Sequence, residues 1–479
     1  MVRLFDGTIK RDTIGDGPTG AKSAALRRYT PLFEAATWKD KNQEDSGFVI
    51  LPHVSITPAF FADFLKRAGA SYERPDEAVA AIRATEFSTT ELDGIREVLE
   101  PFTDYHVAVR SDESTAAGVG LWHTDFMRVE GKSVERAATI LKRILEVDFS
   151  RDVLAFKRRV GLKIDENPGV FVMPVFGMNL DRTSEGVILT TPYHVNMITS
   201  FRGIGTVVNL GMGIGGANNG NAQSRWLKDL QERNFDPNGL LSPNFIEARV
   251  LAQGNLTGKM DHLTKDYFKI LSGTLVSEAL EELRNGVASI VRAEPSPLYV
   301  ELAVAQNLKW TFLQCAPVNF EALDPVVRLR TPNEQKVLRI TPEPFLRTEN
   351  FGRYVSGRRV IKAEQVAYIE EDQLDKVKEI NRIQNDYVMF VKCGFHEFNR
   401  SLSFADYSNA AAIIFINYNP SFNAATHFNG ALREAGIVIL AGRVDKKFLD
   451  SLKLNCVTNK KVLVYADDGA EEAFVATTD

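Results

Sequence analysis

Cysteine is scarce in this chain, and the three that occur, Cys315, Cys393 and Cys456, have no paired spacing. A disulfide framework and a cysteine-based zinc site are therefore not expected, and a reducing cytoplasm fits the composition. Long apolar runs are also missing, since no window approaches the roughly 18 apolar residues of a membrane helix. Residues 1–7 lack the apolar core of a signal peptide. We therefore expect a soluble cytoplasmic protein with no membrane partner.

An excess of positive charge is missing as well. The chain has 57 lysines and arginines against 62 aspartates and glutamates, a net charge of −5, so no nucleic acid partner is expected. The hydrophobic fraction of 44% and the charged fraction of 25% are ordinary for globular proteins. A length of 479 residues gives room for about two to four domains. Composition thus excludes several classes of protein but indicates no chemistry.

Predicted strands and helices alternate along the chain without strict βαβ regularity, which indicates a mixed α/β (α+β) fold. Within it, Asn255–Val291 is predicted to be mainly helical. Residues 319–340 are rich in Pro, Arg and Glu and lack a clean apolar period, so they are predicted to be a linker. The expected domains are therefore 1–318 and 341–479.

The clearest local pattern lies near the C-terminus and predicts a βαβ unit. Ala410–Tyr418 is a near-continuous apolar run, typical of a strand covered on both faces, and Ile437–Ala441 is a second buried strand. Between them, Thr426 is a plausible N-cap that places His427 in the first turn of a short helix. Unpaired N–H groups and the helix dipole there favour a negative phosphoryl group. On position alone, a partly buried neighbour of the cap is the commoner role for such a histidine.

The segment from 426 to 442 resembles the phosphohistidine signature of phosphoenolpyruvate synthases and pyruvate phosphate dikinases. The specific part is the run Ala-Leu-Arg-Glu-Ala-Gly-Ile at 431–437. His427 stands four residues before that run, whereas the family has two, and Phe422-Asn423 replaces the paired glycines. The resemblance implies that His427 carries a phosphoryl group in a small swivelling α/β domain.

The N-terminal two thirds of the chain resembles the ATP-binding domain of the same families, with its motifs in the same order. The matching segments are Gly20–Leu26, Gly47–Val49 with Thr57–Leu65, Val109–Ser111 with Ala117-Gly118, Gly186-Val187 with Thr190–Pro192, Tyr299–Glu301 and Phe312–Pro317. The resemblance implies an ATP-grasp-like nucleotide-binding domain that uses ATP and Mg²⁺, followed by the phosphohistidine domain.

Four residues carry the ATP site that this resemblance implies. Lys22 and Arg110 would neutralise triphosphate charge, as phosphoryl transfer requires. Glu301 and Gln314 would supply oxygen ligands to Mg²⁺, and a predicted hairpin formed by the segments around them lets both face one cleft. Taken singly, each residue has an ordinary alternative: a solvated cation, a strand-surface charge or a surface amide.

Three positions depart from the family pattern. Ala316 stands in place of an arginine, Met173 in place of a glutamine, and Ile214 in place of the glutamate of a glycine-rich loop. Loss of a phosphate-facing arginine weakens catalysis unless another group replaces it. The alternative function is therefore a non-catalytic or regulatory nucleotide-binding protein derived from this family.

A competing motif is Gly211–Gly216, which satisfies the Gly-x-Gly-x-x-Gly pattern of dinucleotide-binding proteins. That function needs a helix that begins inside the glycines, whereas the sequence continues as a loop through Asn221. A flexible loop over a nucleotide is the preferred interpretation. An unrelated α/β enzyme, either a ligase of the ATP-grasp type or a dinucleotide enzyme, stays open as a third alternative.

The resemblance implies a relay in which His427 attacks the β-phosphoryl group of ATP, AMP leaves, and the group passes to an acceptor in a second site. The 37 residues after Gly442 are too few for the pyruvate-binding barrel of about 250 residues. Pyruvate is therefore not the expected acceptor. We expect an ATP-dependent phosphotransferase whose unidentified acceptor binds in another cleft or lies on a separate protein chain.

Overall fold

The computed structural model describes the chain in segments. They are residues 8–9, 11–40, 42–113, 124–164, 166–175, 178–183, 186–190, 193–201, 205–211, 223–227, 246–252, 255–263, 275–304, 309–317, 337–342, 359–363, 365–383, 385–393, 397–398, 401–416, 437–443, 457–458, 461–466 and 473–478. The chain forms two compact units. The first comprises Met1–Ala116, Trp122–Ser150 and Ile164–Val318, and the second comprises Ala117–Leu121, Arg151–Lys163 and Asn319–Asp479.

Eight α-helices lie in the described part of the chain. They are α1 (Ala21–Ala35), α2 (Ala62–Ala68), α3 (Pro75–Ala84), α4 (Thr89–Leu99), α5 (Ser133–Asp148), α6 (Arg151–Arg159), α7 (Leu275–Ala293) and α8 (Asp375–Ile383). Helix α5 shows why they form, since Ala137, Ile140, Leu141 and Ile144 recur at helical spacing and are all buried. No described helix combines the length and the apolar character that a membrane crossing requires.

The strands of the first unit form two larger sheets and a two-stranded ribbon. They are β1 (Thr13–Ile14), β2 (Thr37–Lys39), β3 (Asp45–Gly47), β4 (Val49–Ile50), β5 (Val54–Ile56), β6 (His106–Asp112), β7 (Thr124–Arg128), β8 (Gly169–Pro174), β9 (Met178–Thr183), β10 (Gly186–Thr190), β11 (His194–Phe201), β12 (Gly205–Gly211), β13 (Gln223–Trp226), β14 (Ile246–Ala252), β15 (Asn255–Leu263), β16 (Leu298–Val304) and β17 (Trp310–Pro317). The described strands are ordered β1-β5-β8-β6-β7-β15-β14-β10-β9 in one sheet and β13-β12-β11-β16-β17-β4 in the other, and β2 pairs with β3.

The six-stranded sheet is held by helices α1 and α7 through a shared hydrophobic cluster. Phe33 of α1 stacks on Phe312 of β17, with ring centroids 3.9 Å apart. The indole N–H of Trp310 donates a hydrogen bond of 2.8 Å to the Ala279 carbonyl of α7, which satisfies a fully buried polar group. Both contacts anchor β17, which pairs with β16, and both strands carry site residues.

The second unit is built on one sheet whose core strands run parallel. Its strands are β18 (Val337–Pro342), β19 (Arg359–Ala363), β20 (Val366–Glu370), β21 (Tyr387–Lys392), β22 (Ala410–Ile416), β23 (Val438–Arg443), β24 (Val457–Thr458), β25 (Lys461–Ala466) and β26 (Ala473–Thr478). Their order is β19-β25-β26-β18-β23-β22-β21-β20-β24. Every residue of β22 is buried, as its unbroken apolar run predicts, and β22 pairs in parallel with β23.

Helix α6 belongs to the second unit although the sequence places it far from residue 319. Phe156 is fully buried and its ring lies 6.0 Å from that of Phe404. Asp152 accepts a hydrogen bond of 2.9 Å from the Ala405 backbone N–H. The second unit is therefore discontinuous in sequence, whereas the predicted domains assigned 151–163 to the first.

The mixed α+β fold agrees with the prediction, but two local predictions were wrong in part. Within 255–291, predicted to be mainly helical, residues 275–291 do lie in helix α7, but residues 255–263 form strand β15, paired antiparallel with β14. Sheet pairing there outweighs the helix propensity of the Leu, Lys and Met residues. Residues 337–340 begin strand β18, although they were predicted to end the linker. The apolar sequence Val-Leu-Arg-Ile is there paired with β26.

Candidate functional site

Glu301 and Gln314 lie directly opposite each other on the antiparallel strands β16 and β17, so their side chains share one face of the six-stranded sheet. Val300 and Leu302, which flank Glu301, are fully buried. Glu301 and Gln314 are only partly buried. The hairpin therefore presents a carboxylate and an amide side by side, on the face opposite to Val300 and Leu302.

Lys22 lies in the first turn of α1. Its side chain is hydrogen-bonded to strand β6 and to Glu113, the residue that follows β6. Its Nζ donates hydrogen bonds of 3.1 Å to the Ser111 carbonyl and 2.7 Å to Oε2 of Glu113. The side chains of Lys22 and Glu113 are 18% and 5% exposed, so this ion pair is largely removed from water. An ammonium group has three donors. Two of them are used by these contacts among the described residues, which leaves the third for a ligand.

Asp112 anchors the N-terminus of α1 to β6. Its carboxylate accepts hydrogen bonds from the backbone N–H groups of Lys22 at 2.9 Å and Ser23 at 3.2 Å, and from the Ser23 hydroxyl. A side chain at Gly20 would meet the Asp112 backbone, since a Cβ there would lie 2.1 Å from its carbonyl oxygen. Burial raises the pKa of Asp112, against the opposing hydrogen bonds of Ser23 and the charge of Lys22. Gly20 therefore permits the close approach that positions Lys22.

Arg110 of β6 reaches across to the six-stranded sheet. Its Nη2 lies 3.4 Å from Oε1 of Gln314, and its Nη1 lies 3.8 Å from the Met173 sulfur. The guanidinium also lies over the Phe171 ring, 5.3 Å from the centroid, which is a favourable cation–π distance. The charge is thus oriented toward Gln314 while several guanidinium donors have no acceptor among the described residues.

The Glu301 carboxylate is hydrogen-bonded to His194 and is influenced by the charges of Arg110 and Lys22. Its Oε1 lies 2.8 Å from Nε2 of His194, and the two side chains are 12% and 4% exposed. Burial opposes ionisation of Glu301, but the His194 hydrogen bond and the charges of His194, Arg110 and Lys22 together hold its pKa below the ordinary value. Glu301 is therefore ionised at neutral pH.

The structure brings together the four residues that the sequence predicted for the ATP site. Arg110 contacts Gln314, Gln314 is paired with Glu301, and the charges of Lys22 and Arg110 both act on Glu301. All four lie in the first unit. His427, predicted to be the catalytic residue, lies outside the described residues.

Two of the three positions that depart from the family pattern, Met173 and Ala316, are among the described residues, and both lie near these four residues. Met173 contacts Arg110. Ala316 is partly buried on β17, opposite Tyr299, two residues beyond Gln314 on the same strand. Ile214 and the glycine-rich loop that contains it lie outside the described residues.

Sequence reasoning missed three residues of this site: His194, Asp112 and Glu113. In the sequence, no neighbouring motif marks His194. Asp112 and Glu113 directly follow the Arg110-Ser111 motif, and that adjacency was the available signal. Their roles depend on contacts with residues about 90 positions away (the pairs are 89 to 91 residues apart).

The residues fit a Mg²⁺ ion that arrives with phosphates rather than a resident metal. Among the described residues, no group of three His, Cys, Asp or Glu side chains is arranged to hold a metal ion. Glu301 and Gln314 offer one carboxylate and one amide oxygen, while Mg²⁺ prefers six oxygen ligands and usually keeps waters and substrate phosphates among them. The remaining ligands would therefore come from solvent and from a polyphosphate.

His53, near the Phe171 ring that carries Arg110, makes the first unit sensitive to acid. Burial and, less strongly, the Arg27 charge lower the pKa of His53 to about 4. Its Nε2 is buried without a hydrogen-bond partner in the described part of the chain. The unfolded chain binds this proton near pH ~6.5, so stability is fully present above that pH and is lost as the pH falls toward 4.

Replacing His53 with phenylalanine is expected to remove this loss while keeping an aromatic ring against Phe171. Between pH 7 and pH 5 the wild-type chain should lose about 2 kcal/mol that the variant retains. Urea unfolding followed by tryptophan fluorescence measures it, because all four tryptophans lie in the first unit. Equal pH dependence in both proteins would show that His53 does not titrate in this way.

Comparison with known proteins assigns no family, because no family model and no curated protein matches the chain.

Proposed function

We propose that this chain is an ATP-dependent phosphotransferase of the dikinase type, in which the first unit binds Mg²⁺ and ATP and His427 carries the phosphoryl group. The observation that carries the proposal is that Arg110 contacts Gln314, Gln314 is paired with Glu301, and the charges of Lys22 and Arg110 act on Glu301. Arg110 and Gln314 are 204 residues apart in sequence. Nothing in an ordinary core requires an ammonium, a guanidinium, a carboxylate and an amide to meet there.

Each group has a role toward a polyphosphate. The ammonium of Lys22 and the guanidinium of Arg110 are fixed by neighbouring side chains and keep donors for phosphate oxygens. Such pre-oriented donors stabilise the charge of a transferring phosphoryl group without reorganising during the reaction. An ATP-grasp-like use of the two sheets of the first unit, with nucleotide bound along the face of Glu301 and Gln314, is part of this proposal.

Glu301 and Gln314 are the residues that would hold Mg²⁺. The ion would neutralise phosphate charge and fix the orientation of the phosphate chain. Glu301 has the required charge, since its pKa lies below the ordinary value despite burial. Gln314 would add a neutral oxygen ligand, and this oxygen also accepts a hydrogen bond from Arg110.

His427 would act on ATP as a nucleophile. An imidazole nitrogen forms a bond to the β-phosphorus, the bond from that phosphorus to the oxygen bridging to the α-phosphorus breaks, and AMP leaves with that oxygen. Phosphate or water then takes the γ-phosphoryl group, which leaves the phosphohistidine for an acceptor. The support for this step is the signature at 426–442, which follows strand β22 and ends within the parallel strand β23.

A second function is favoured by Ala316 and Met173. The family arginine two residues after the Gln314 position is here alanine, and the family glutamine is here Met173, whose thioether contacts Arg110. A site with these replacements binds a nucleotide with fewer donors to stabilise transferring charge. The alternative is therefore a nucleotide-binding protein that does not turn ATP over.

Labelling separates the two functions. The full chain is incubated with Mg²⁺ and ATP labelled at the β-phosphate, and acid-labile, base-stable label on the protein is measured. We expect label in the wild type and in a His396→Ala control, a histidine of the second unit outside the signature, and none in His427→Ala. Unlabelled protein that still binds ATP would favour the non-catalytic function, and protein that binds no ATP would contradict both.

A further inference from the structure

His194 is the group that holds the Glu301 carboxylate in place. In the ladder between β11 and β16, His194 is opposite Ala303 and Asn196 is opposite Glu301. His194 and Glu301 therefore lie diagonally on one face, a spacing that long side chains bridge. The His194 side chain is 4% exposed, and its Nε2 lies 2.8 Å from Oε1 of Glu301.

We propose that His194 is a positioning residue that fixes Glu301 by Oε1, so that Oε2 remains available to the Mg²⁺ ion that accompanies a polyphosphate. This inference rests on the proposed function, because it assigns a role within the same site. In the described part of the chain, no residue donates a hydrogen bond to Oε2 of Glu301, whereas Oε1 is engaged by the histidine.

The neighbouring cations explain why such a residue is needed. Glu301 is attracted by Lys22 and Arg110, the two groups that the phosphates require. A flexible carboxylate side chain loses conformational entropy when it is ordered, and without a fixed partner it would turn toward either cation. Pairing there would occupy both a metal ligand and a phosphate donor. Hydrogen-bonded partners behind a metal ligand typically change metal affinity by about 10- to 100-fold.

Two amide variants test the role without introducing an apolar group into a buried polar position. His194→Gln places an amide N–H near the position of Nε2, whereas the shorter side chain of His194→Asn does not reach it. The measurement is the Mg²⁺ concentration that half-saturates ATP binding to the full chain, together with ATP affinity in EDTA and the melting temperature of each variant. We expect His194→Asn to raise the half-saturating Mg²⁺ concentration about tenfold and His194→Gln to stay within about threefold of wild type.

ATP affinity in EDTA should be the same in the wild type and both variants, because His194 acts through the metal ligand alone. Equal Mg²⁺ dependence in all three proteins would overturn the inference. So would a loss of ATP binding in His194→Asn that is the same with and without Mg²⁺, since that indicates a structural role. Failure of the proposed function gives a different result, in which the wild type itself binds no ATP under either condition.

Discussion

Replacing Lys22 with methionine is expected to lower both the affinity for ATP and the stability of the first unit. ATP affinity should fall about 100-fold, because a hydrogen bond between charged groups is lost. Stability should fall by about 3 kcal/mol, since the Glu113 carboxylate, 5% exposed, would stay buried without its counterion. Tryptophan fluorescence in urea and calorimetric titration with Mg²⁺ and ATP measure the two effects.

A double variant separates the two roles of Lys22. Lys22→Met with Glu113→Met replaces the ion pair by two apolar side chains of similar length, a change that is often nearly neutral for stability. We expect the double variant to recover most of the lost stability but none of the lost affinity. If affinity returned with stability, Lys22 would be a structural partner of Glu113 with no part in binding phosphates.

Replacing Arg110 with methionine is the second change with a large expected effect. ATP affinity should fall about 100-fold, which corresponds to about 2.7 kcal/mol and to a charge-assisted hydrogen bond lost in a partly buried site. The stability of the first unit should change by less than about 1 kcal/mol, because a methionine side chain keeps the contact with Phe171. The measurements are those used for Lys22.

The matched control is Arg128→Met, at the other end of the same pair of strands. Arg128 is opposite His106 in the ladder, whereas Arg110 is opposite Thr124. Arg128→Met therefore removes one positive charge, as Arg110→Met does, but from β7 at a distance from the site. The Arg128 side chain is 44% exposed. ATP affinity should stay near the wild-type value in Arg128→Met. An equal loss in the two variants would indicate a general charge effect and would contradict the site described for Arg110.

Much of the candidate site could be predicted from the sequence because its four members lie in motifs that follow one another in a characteristic order. His194 could not, because its contact with Glu301 depends on the register between β11 and β16, and a single histidine at a strand start has many roles. Glu113 could not for the same reason: its ion pair with Lys22 spans 91 residues. Local patterns do not encode such long-range contacts.

The fold likewise has features that local sequence patterns predict and features that depend on long-range contacts. The strands β16, β17 and β22 follow from apolar alternation or apolar runs, which are local signals. Strand β15 lies in a segment that was predicted to be mainly helical, because its composition is compatible with either structure and only pairing with β14 decides it. Helix α6 belongs to the second unit, although it lies within the predicted domain 1–318, because its apolar face does not reveal that Phe156 packs near Phe404.

The central claim is that the first unit binds Mg²⁺ and ATP through the face of Glu301 and Gln314. Its most direct test is calorimetric titration of ATP into the full chain, with Mg²⁺ present and again with EDTA, for the wild type and Arg110→Met. We predict that the wild type binds ATP more tightly with Mg²⁺ than with EDTA, and that Arg110→Met binds about 100-fold more weakly. Absence of ATP binding to the wild type, or equal binding by both proteins, would contradict the claim.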